Sequence, residues 1–416
     1  MTQTSTLPII VIGAGICGVS TALWLQRYGK DVILVDKSDP GQGASYGNAG
    51  LIASWAVAPT ATPGMWHEAP KMLIDPNSAL FAKWTYLPKM IPRLTQFILN
   101  SRRARADRIA AALPTLVADG LDQHRALVAG TDVADWVRDS KLRYIYPSIR
   151  DYENDTYSWT LKRQAGFYPR VITGPEIQEL EPMLGPKITC RVELKGQGHI
   201  NNPGAYVTKL ADLFQSKGGR FMRAEVRDFE RSGDTVTAVL TDQGPIACER
   251  VVVTSGIGSR AVMKRLGLSV PLEAERGYHI LFKSPSALPN HPMMAAGKFG
   301  ITPMGDVLRC AGTVELGGTE LGPSKGPIAL IHQFVRDAFP KFSYGETEEW
   351  MGFRPSTPDS LPLIGQVGTS GIYTCFGHQH VGLTSGPKSG RMIADMITDR
   401  RPNYDMSPFD PNRFAL

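Results

Sequence analysis

The segment from Pro8 to Asp36 constrains the fold more than any other part of the chain. Ile9, Ile10, Val11 and Ile12 make an apolar run suited to a buried strand. Gly13, Gly15 and Gly18 follow at GxGxxG spacing, then an apolar helix, then a second strand, Val32 to Val35, closing on Asp36. This is the pattern of a βαβ unit that cradles a dinucleotide, and each part has a mechanical job. Gly13 permits the tight turn out of the strand. Gly15 lets the main chain approach a pyrophosphate, and Gly18 lets the helix pack close to the sheet. The first turn, with Ile16 and Cys17, faces the phosphates with N–H groups and the positive end of the helix dipole. Asp36, eighteen residues beyond Gly18, can accept hydrogen bonds from both ribose hydroxyls and would repel a 2′-phosphate.

NAD and FAD both satisfy that unit, so the residues after it decide between them. Lys37 leads into a run of small residues, Gly43, Ala44, Ser45, Tyr46, Gly47, Asn48, Ala49 and Gly50. An NAD unit usually proceeds into another helix and strand. A small-residue loop running on beneath the cofactor instead favours FAD, whose isoalloxazine arm needs main chain and small hydroxyls such as Ser45 beside it.

With 416 residues, the chain is expected to form two or three structural units at roughly 150 residues each, or one discontinuous pair of domains. Its 42% hydrophobic and 20% charged residues, with glycines in scattered runs, exclude collagen, solenoid and disordered readings. A net charge of +6 with interspersed signs argues against a nucleic-acid partner. The densest basic run, Arg102, Arg103, Arg105 and Arg108, follows the apolar, aromatic stretch Leu80 to Leu99. An ordinary solvated helix face is the simpler reading, and a surface touching anionic lipid is the alternative. The five scattered cysteines lack CxxC pairs or zinc-like spacing, so no metal site is expected. A reduced, cytoplasmic setting follows, with peripheral contact at the inner membrane as the variant. Glycines interrupt the apolar run Ile9 to Leu25, and no Lys or Arg precedes it, which argues against a signal peptide or a membrane span.

Further along, Gly198 to Pro203 leads into a helix from Ala205 to Ser216, strands around Phe221 to Phe229 (with Val226) and Thr235 to Leu240, and a strand emptying into Thr254, Ser255 and Gly256. Such a strand end can pass beside a dinucleotide at the carboxyl edge of a parallel sheet, or can be a buried strand and turn. Towards the end, GFRPSTPDSLPLIG from Gly352 leads through a strand, Gly371 to Phe376, into Gly377, His378, Gln379, His380, Val381, Gly382, Leu383 and Thr384. A helix from Lys388 to Ile397 follows. A helix amino terminus there can stabilise negative charge on an electron-rich ring.

Taken together, the GxGxxG unit, the Ser45 to Gly50 loop, the GFRP stretch and the GHxHxGLTxGPxSG stretch resemble the D-amino-acid oxidase superfamily, and within it the bacterial D-amino-acid dehydrogenases of the small-subunit type. The resemblance covers most of the chain and is loose from Trp55 to about Gly196. It implies a mixed α/β and α+β architecture: a Rossmann-like FAD-binding domain from residues 1–60, 196–270 and 345–416, and a substrate domain on a large mixed β-sheet from 61–195 and 271–344. It also implies that Arg354 grips the substrate carboxylate, which suits the planar fork of a guanidinium. Arg276 or Tyr278, in a stretch similar to the segment that closes over substrate, would add a hydrogen bond. His378 and His380 would lie near the flavin as positioning or packing residues, since neither has a carboxylate partner at readable spacing to make it a base. Some relatives attach flavin through a cysteine where this chain has Gly352, so FAD is expected to be non-covalent.

The activity implied is hydride transfer from the Cα of a D-amino acid or cyclic imino acid to flavin N5, in which positioning is the main catalytic work. A quinone or protein would then accept the electrons. The alternatives are an oxygen-using oxidase of secondary amines and a flavoprotein subunit without activity of its own. The stretch from Trp55 to Trp66 is a candidate pocket lining.

Overall fold

The computed structural model describes residues 7–75, 77–295 and 299–414, apart from the side chain of Trp66. Its organising feature is a six-stranded sheet. The fully buried strand Ile9–Ile12 lies between the parallel strands Val32–Asp36 and Arg250–Val253. Arg220–Arg223 extends one edge. Ile372–Phe376 and then the antiparallel Leu363–Gln366 extend the other. A strand buried on both faces needs an unbroken apolar run, which IIVI and VILVD supply. One face carries the helices Ile16–Arg27, Pro203–Ser216 and Gly382–Ile397. The other packs against a three-stranded antiparallel sheet, Val226–Ser232, Thr235–Thr241 and Gly244–Ala247.

Helices Ile16–Arg27 and Gly382–Ile397 approach closely because of a glycine. A Cβ at Gly390 would lie 2.6 Å from the main-chain nitrogen of Thr21. The indole of Trp24 fastens the pair by donating to the carbonyl of Pro387 at 3.0 Å. This second helix begins six residues before the expected start at Lys388, running through Pro387. Proline removes the N–H that would bond the carbonyl four residues back. That carbonyl, on Leu383, instead accepts from Nε2 of the buried His124 at 2.8 Å. Other boundaries shift less. Asn202 caps the helix that starts at Pro203, and the single strand expected around Phe221 to Phe229 is two strands in different sheets.

The second body is a ten-stranded mixed sheet. It runs Thr347–Ser356, Glu273–Lys283, Val307–Leu316, Phe299–Met304, Met293–Ala295, Val137–Tyr146, Cys190–Ile200, Leu51–Ile52, with Leu80–Ala82 and Arg170–Thr173 pairing off this path. Its outer face buries Ile280, Phe282, Phe299 and Ile301 against the helix Lys325–Ala338. The architecture is thus the expected one, a Rossmann-like sheet beside a large mixed sheet. In strand pairing, Leu51–Ile52 and Thr347–Ser356 belong to the large sheet, although the expected boundaries placed them with the nucleotide half.

Candidate active site

A cavity of about 890 Å³ lies between the two sheets, towards the upper end of the range of about 300–1,000 Å³ usual for ligand sites. Its floor is the opening turn. Gly13 has φ +113°, and a Cβ there would stand 2.7 Å from the main chain of Ser255. At Gly18 a Cβ would fall 1.7 Å from the carbonyl oxygen of Gly13, so the helix can start here only with glycine. Above Gly15 the nearest atom to a Cβ is Ser45 Oγ at 3.5 Å, which leaves open the face where a phosphate would approach. The helix's own N-cap residue, Gly15, has no side chain to cap it. Ser45 Oγ accepts from the Ile16 amide at 3.1 Å, joining loop to turn. The Asp36 carboxylate accepts from the amides of Ala14 (2.7 Å) and Ser38 (2.9 Å), so its position is set by main chain. Thr254 Oγ1 and Ser255 Oγ both donate to the carbonyl of Ile12 at 2.9 Å, fixing a second strand end against the same turn.

The structure brings most of the expected residues to this one cavity. Gly13, Gly15, Ile16, Cys17, Asp36, Lys37, Ser45, Asn48, Ala49, Val226, Ser255 and Gly256 line it. Gly377, His378, His380, Gly382, Leu383 and Arg354 line it as well, His378 beside Cys17. Three others stand behind the wall. Gly18 packs on Gly13, a Cβ at Gly50 would meet the carbonyl of Ile200, and Thr384 Oγ1 accepts from the amide of Ala53 at 2.7 Å. Of the stretch from Trp55 to Trp66, Trp55 and Thr60 reach the cavity.

Arg354 lines the cavity from the strand Thr347–Ser356 of the large sheet. Its guanidinium donates to the carbonyls of Thr313 (2.7 Å) and Gly312 (3.2 Å), at a bulge where Thr313 has φ +54°. The group fits because its cross-strand neighbour is Gly277, where a Cβ would come within 2.5 Å of the guanidinium carbon. Burial pulls the Arg354 pKa down, and the carboxylate of Glu275 opposes that pull. Glu275 is the direct ladder partner of Arg354 and also lines the cavity. It is held by Ser356, which donates to it at 2.5 Å while accepting from Arg93 (2.7 Å) and Gln379 (3.0 Å). His380 opens onto the same space. Its pKa is lowered by burial and then by the Arg354 cation, which favours neutral imidazole.

Arg276 and Tyr278 correct the expectation made for them. Side chains alternate along a strand, so with Glu275 and Gly277 facing the cavity, Arg276 and Tyr278 face the opposite side. There Arg276 is 0% exposed. It donates to Glu315 and to the carbonyls of Gly318, Leu321 and Gly322, while Tyr278 donates to Glu315 at 2.5 Å. Neither reaches the cavity.

Three residues with no sequence signal hold the Ser45 to Gly50 loop in place. Buried Arg309 donates to the carbonyls of Tyr46 and Asn48, each at 2.9 Å; burial brings its pKa down to about 10. The Trp350 indole fills the space over both Gly47 and Gly352, where a Cβ would come within 1.7 and 2.0 Å. His279 stacks on Trp350 with centroids 5.1 Å apart, and burial lowers its pKa to about 4. All three come from the large sheet, remote in sequence from the loop.

A further cluster escaped the spacing argument. Cys17, Cys375 and His378 are all buried, with one potential ligand atom from each within 4.8 Å of the others. Cys17 lies in the first turn of its helix. A hydrogen bond from Cys375 and the neighbouring His378 lower its pKa against the effect of burial, so the pair favours one thiolate, on Cys17.

Residues 8–396 match the model of the family described as FAD dependent oxidoreductase, DAO. The chain belongs to that family. It is therefore an FAD-dependent oxidoreductase, and the expectation of FAD over NAD is met. It is 35% identical over 415 residues to a D-amino-acid oxidase of Bradyrhizobium diazoefficiens, covering 98% of each chain. It is 27% identical over 396 residues to a D-amino acid dehydrogenase of Helicobacter pylori, covering 94% of this chain and 95% of the relative. Among solved structures, the fold is similar to glycine oxidase from Geobacillus kaustophilus (TM-score 0.73, 21% identity, 99% of each chain). It is also similar to L-proline dehydrogenase from P. horikoshii (TM-score 0.73, 17% identity, 99% of this chain and 98% of that one).

Proposed function

We propose that this DAO-family enzyme oxidises a D-amino acid or a D-configured cyclic imino acid at its Cα–N bond, with FAD held non-covalently in the cavity between the sheets. The observation that carries the reading is the placement of Arg354 and Glu275, side by side on paired strands of the large sheet and both lining the cavity. Arg354 offers a fork for a carboxylate, and Glu275 offers an acceptor for the N–H groups of the neighbouring amine. Names of the full-length relatives, a D-amino-acid oxidase and D-amino acid dehydrogenases, support the same class.

The residues present fit FAD. Gly13 and Gly15 remove side chains from a pyrophosphate's path, Ser45 is the side chain that meets the first amide of the helix, and Asp36, held by two amides, would serve the ribose. At Gly352, where some relatives attach flavin through cysteine, Trp350 takes the space a side chain would need. That supports non-covalent binding. We assign the six-stranded sheet to the cofactor and the large sheet to the substrate. When bound, FAD supplies a two-electron acceptor. The protein's part is to hold the carboxylate on Arg354, keep His380 neutral, and leave the substrate amine its lone pair beside Glu275. Hydrolysis of the product in water gives an oxo acid and ammonia, or the product stays cyclic for a proline-like substrate. The deciding measurement is anaerobic bleaching of the purified yellow protein by a panel of D- and L-amino acids and cyclic imino acids. Bleaching by D-amino or cyclic imino acids is expected, with FAD released into the supernatant on acid precipitation. A flavin that no member of the panel reduces would sink the assignment. Peroxide formed in air at the rate of turnover would favour the oxidase reading, which the 35% identical relative supports.

No helix among the described residues is long and apolar enough to cross a membrane. We propose that a quinone at an anionic membrane surface accepts the electrons, with the enzyme docking through the segment around Leu87–Asn100. Trp84, Ile91 and Ile98, seven residues apart, are exposed by 64%, 61% and 47%. Ile91 and Ile98 fall on one stripe of the helix Leu87–Asn100, and Trp84 lies in the 3-10 turn that leads into it. Exposed Lys89, Arg102, Arg103 and Arg105 and half-buried Lys83 flank it, and each basic residue near such a surface is worth about 1 kcal/mol. The protein should float with vesicles containing phosphatidylserine and stay behind with neutral ones, and Trp84→Ser with Ile91→Ser should abolish flotation. Equal recovery with both vesicle types would refute docking.

A further inference from the structure

We infer that Cys17, Cys375 and His378 form a buried site for a soft divalent cation such as Zn²⁺ or Cd²⁺, reached through the cofactor cavity and closed when the cofactor is in place. This inference rests on the proposed FAD reading only in its second half. Two sulfurs and an imidazole nitrogen are the donors that tetrahedral zinc prefers, and bond lengths of about 2.0–2.3 Å would set them roughly 3.5–4 Å apart. Here the three atoms lie within 4.8 Å of one another, and the Cys17 sulfur is 3.6 Å from His378 Nδ1, so small side-chain rotations complete the geometry.

The surroundings supply what a ligand set needs. His378 Nε2 lies 3.0 Å from the hydroxyl of buried Ser389; a bond from Nε2–H to that oxygen turns the Nδ1 lone pair towards Cys17. Imidazole ligands are commonly oriented by such a second bond. Cys17 sits at a helix amino terminus, where the dipole favours thiolate. Cation binding would displace the Cys375 thiol proton to solvent, and the two thiolates then neutralise a divalent charge, so no uncompensated charge is buried. Three protein ligands leave a fourth position open. All three residues are buried and all three line the cavity wall, so that position faces the space between the sheets. The same wall begins at the glycine turn assigned to the FAD pyrophosphate, so cation and cofactor compete for access.

The probe is Cd²⁺, added to the full-length chain under a non-thiol reductant, with and without its flavin. Flavin-free protein should bind one Cd²⁺ per chain and develop the ultraviolet thiolate-to-cadmium absorption. Reloading with FAD should slow uptake at least about tenfold. Cys17→Ser with Cys375→Ser should lose the absorption, while Cys248→Ser, far from the cluster, should keep it. Each single variant, Cys17→Ala or Cys375→Ala, carries the same test should the double variant not fold. The site is overturned if wild-type protein gives no thiolate absorption, or if the variants retain it. Uptake that is as fast with flavin bound overturns the competition. A chain that binds no FAD yet takes up Cd²⁺ through these cysteines would refute the flavin reading and leave the cation site standing.

Discussion

Replacing Arg354 by alanine is expected to leave the protein yellow and to lower kcat/KM for its amino-acid substrate by about 30- to 5,000-fold. The figure follows from about 2–5 kcal/mol for removing one partner of a buried charge pair, at 1.36 kcal/mol per decade of rate. Two of the five guanidinium N–H groups are spent on the carbonyls of Thr313 and Gly312, which fix the plane of the fork. The remaining donors are left for a carboxylate. Because Gly277 has no side chain to support a shortened residue, alanine leaves a polar gap beside Glu275. The uncompensated carboxylate would then repel that of the substrate, so KM should rise as kcat falls. Arg354→Lys retains the charge without the fork and should recover only part of the loss. Steady-state kinetics with flavin content measured in parallel decide the matter, and unchanged constants in the alanine variant would remove Arg354 from the site.

What could be read from the sequence follows from how local each signal is. The Gly13–Gly18 turn, its flanking strands and Asp36 were legible because one βαβ unit contains its own geometry. The place of Arg354 on the cavity wall was legible because the GFRP stretch is a contiguous string. The side of the strand at Arg276 and Tyr278 was not. Strand side chains alternate with period two, so choosing the neighbouring residue flips the assignment to the other face. In Glu273–Lys283 both faces are largely buried, so hydrophobicity gives no hint which one meets the cavity. Arg309, Trp350 and His279 hold the Ser45 to Gly50 loop from strands far along the chain, and Cys17 meets Cys375 only because Ile9–Ile12 and Ile372–Phe376, remote in sequence, lie one strand apart in the sheet. His124 shows the same principle. Pro387 announces a missing donor in sequence, but the residue that replaces it comes from a separate helix.

Arg276 should be a stability residue, so removing its partner should unfold the protein before it affects substrate binding. Glu315→Ala is expected to cost about 3–5 kcal/mol, the usual penalty for leaving one member of a buried ion pair alone. Arg276 is fully buried and Glu315 is 1% exposed, so water cannot replace what is lost. The carboxylate receives Arg276 at 3.2 Å and the Tyr278 hydroxyl at 2.5 Å, and also accepts from Ser324 Oγ. Its loss therefore strands three donors at once. Three carbonyls continue to solvate Arg276 in the variant, which is why the expected cost stays within the range for one broken pair and well below that of an unsolvated charge. Arg276→Ala should be destabilising for the converse reason, leaving the carbonyls of Gly318, Leu321 and Gly322 without their donor. Urea unfolding followed by flavin release reads the stability change, and KM measured well below the transition reads the site. Because the network lies on the far side of the sheet from Glu275 and Gly277, KM should stay within about twofold in both variants, given that separated sites behave nearly independently. A stable Arg276→Ala protein with a KM raised tenfold or more would return that arginine to the substrate and overturn the face assigned to this strand.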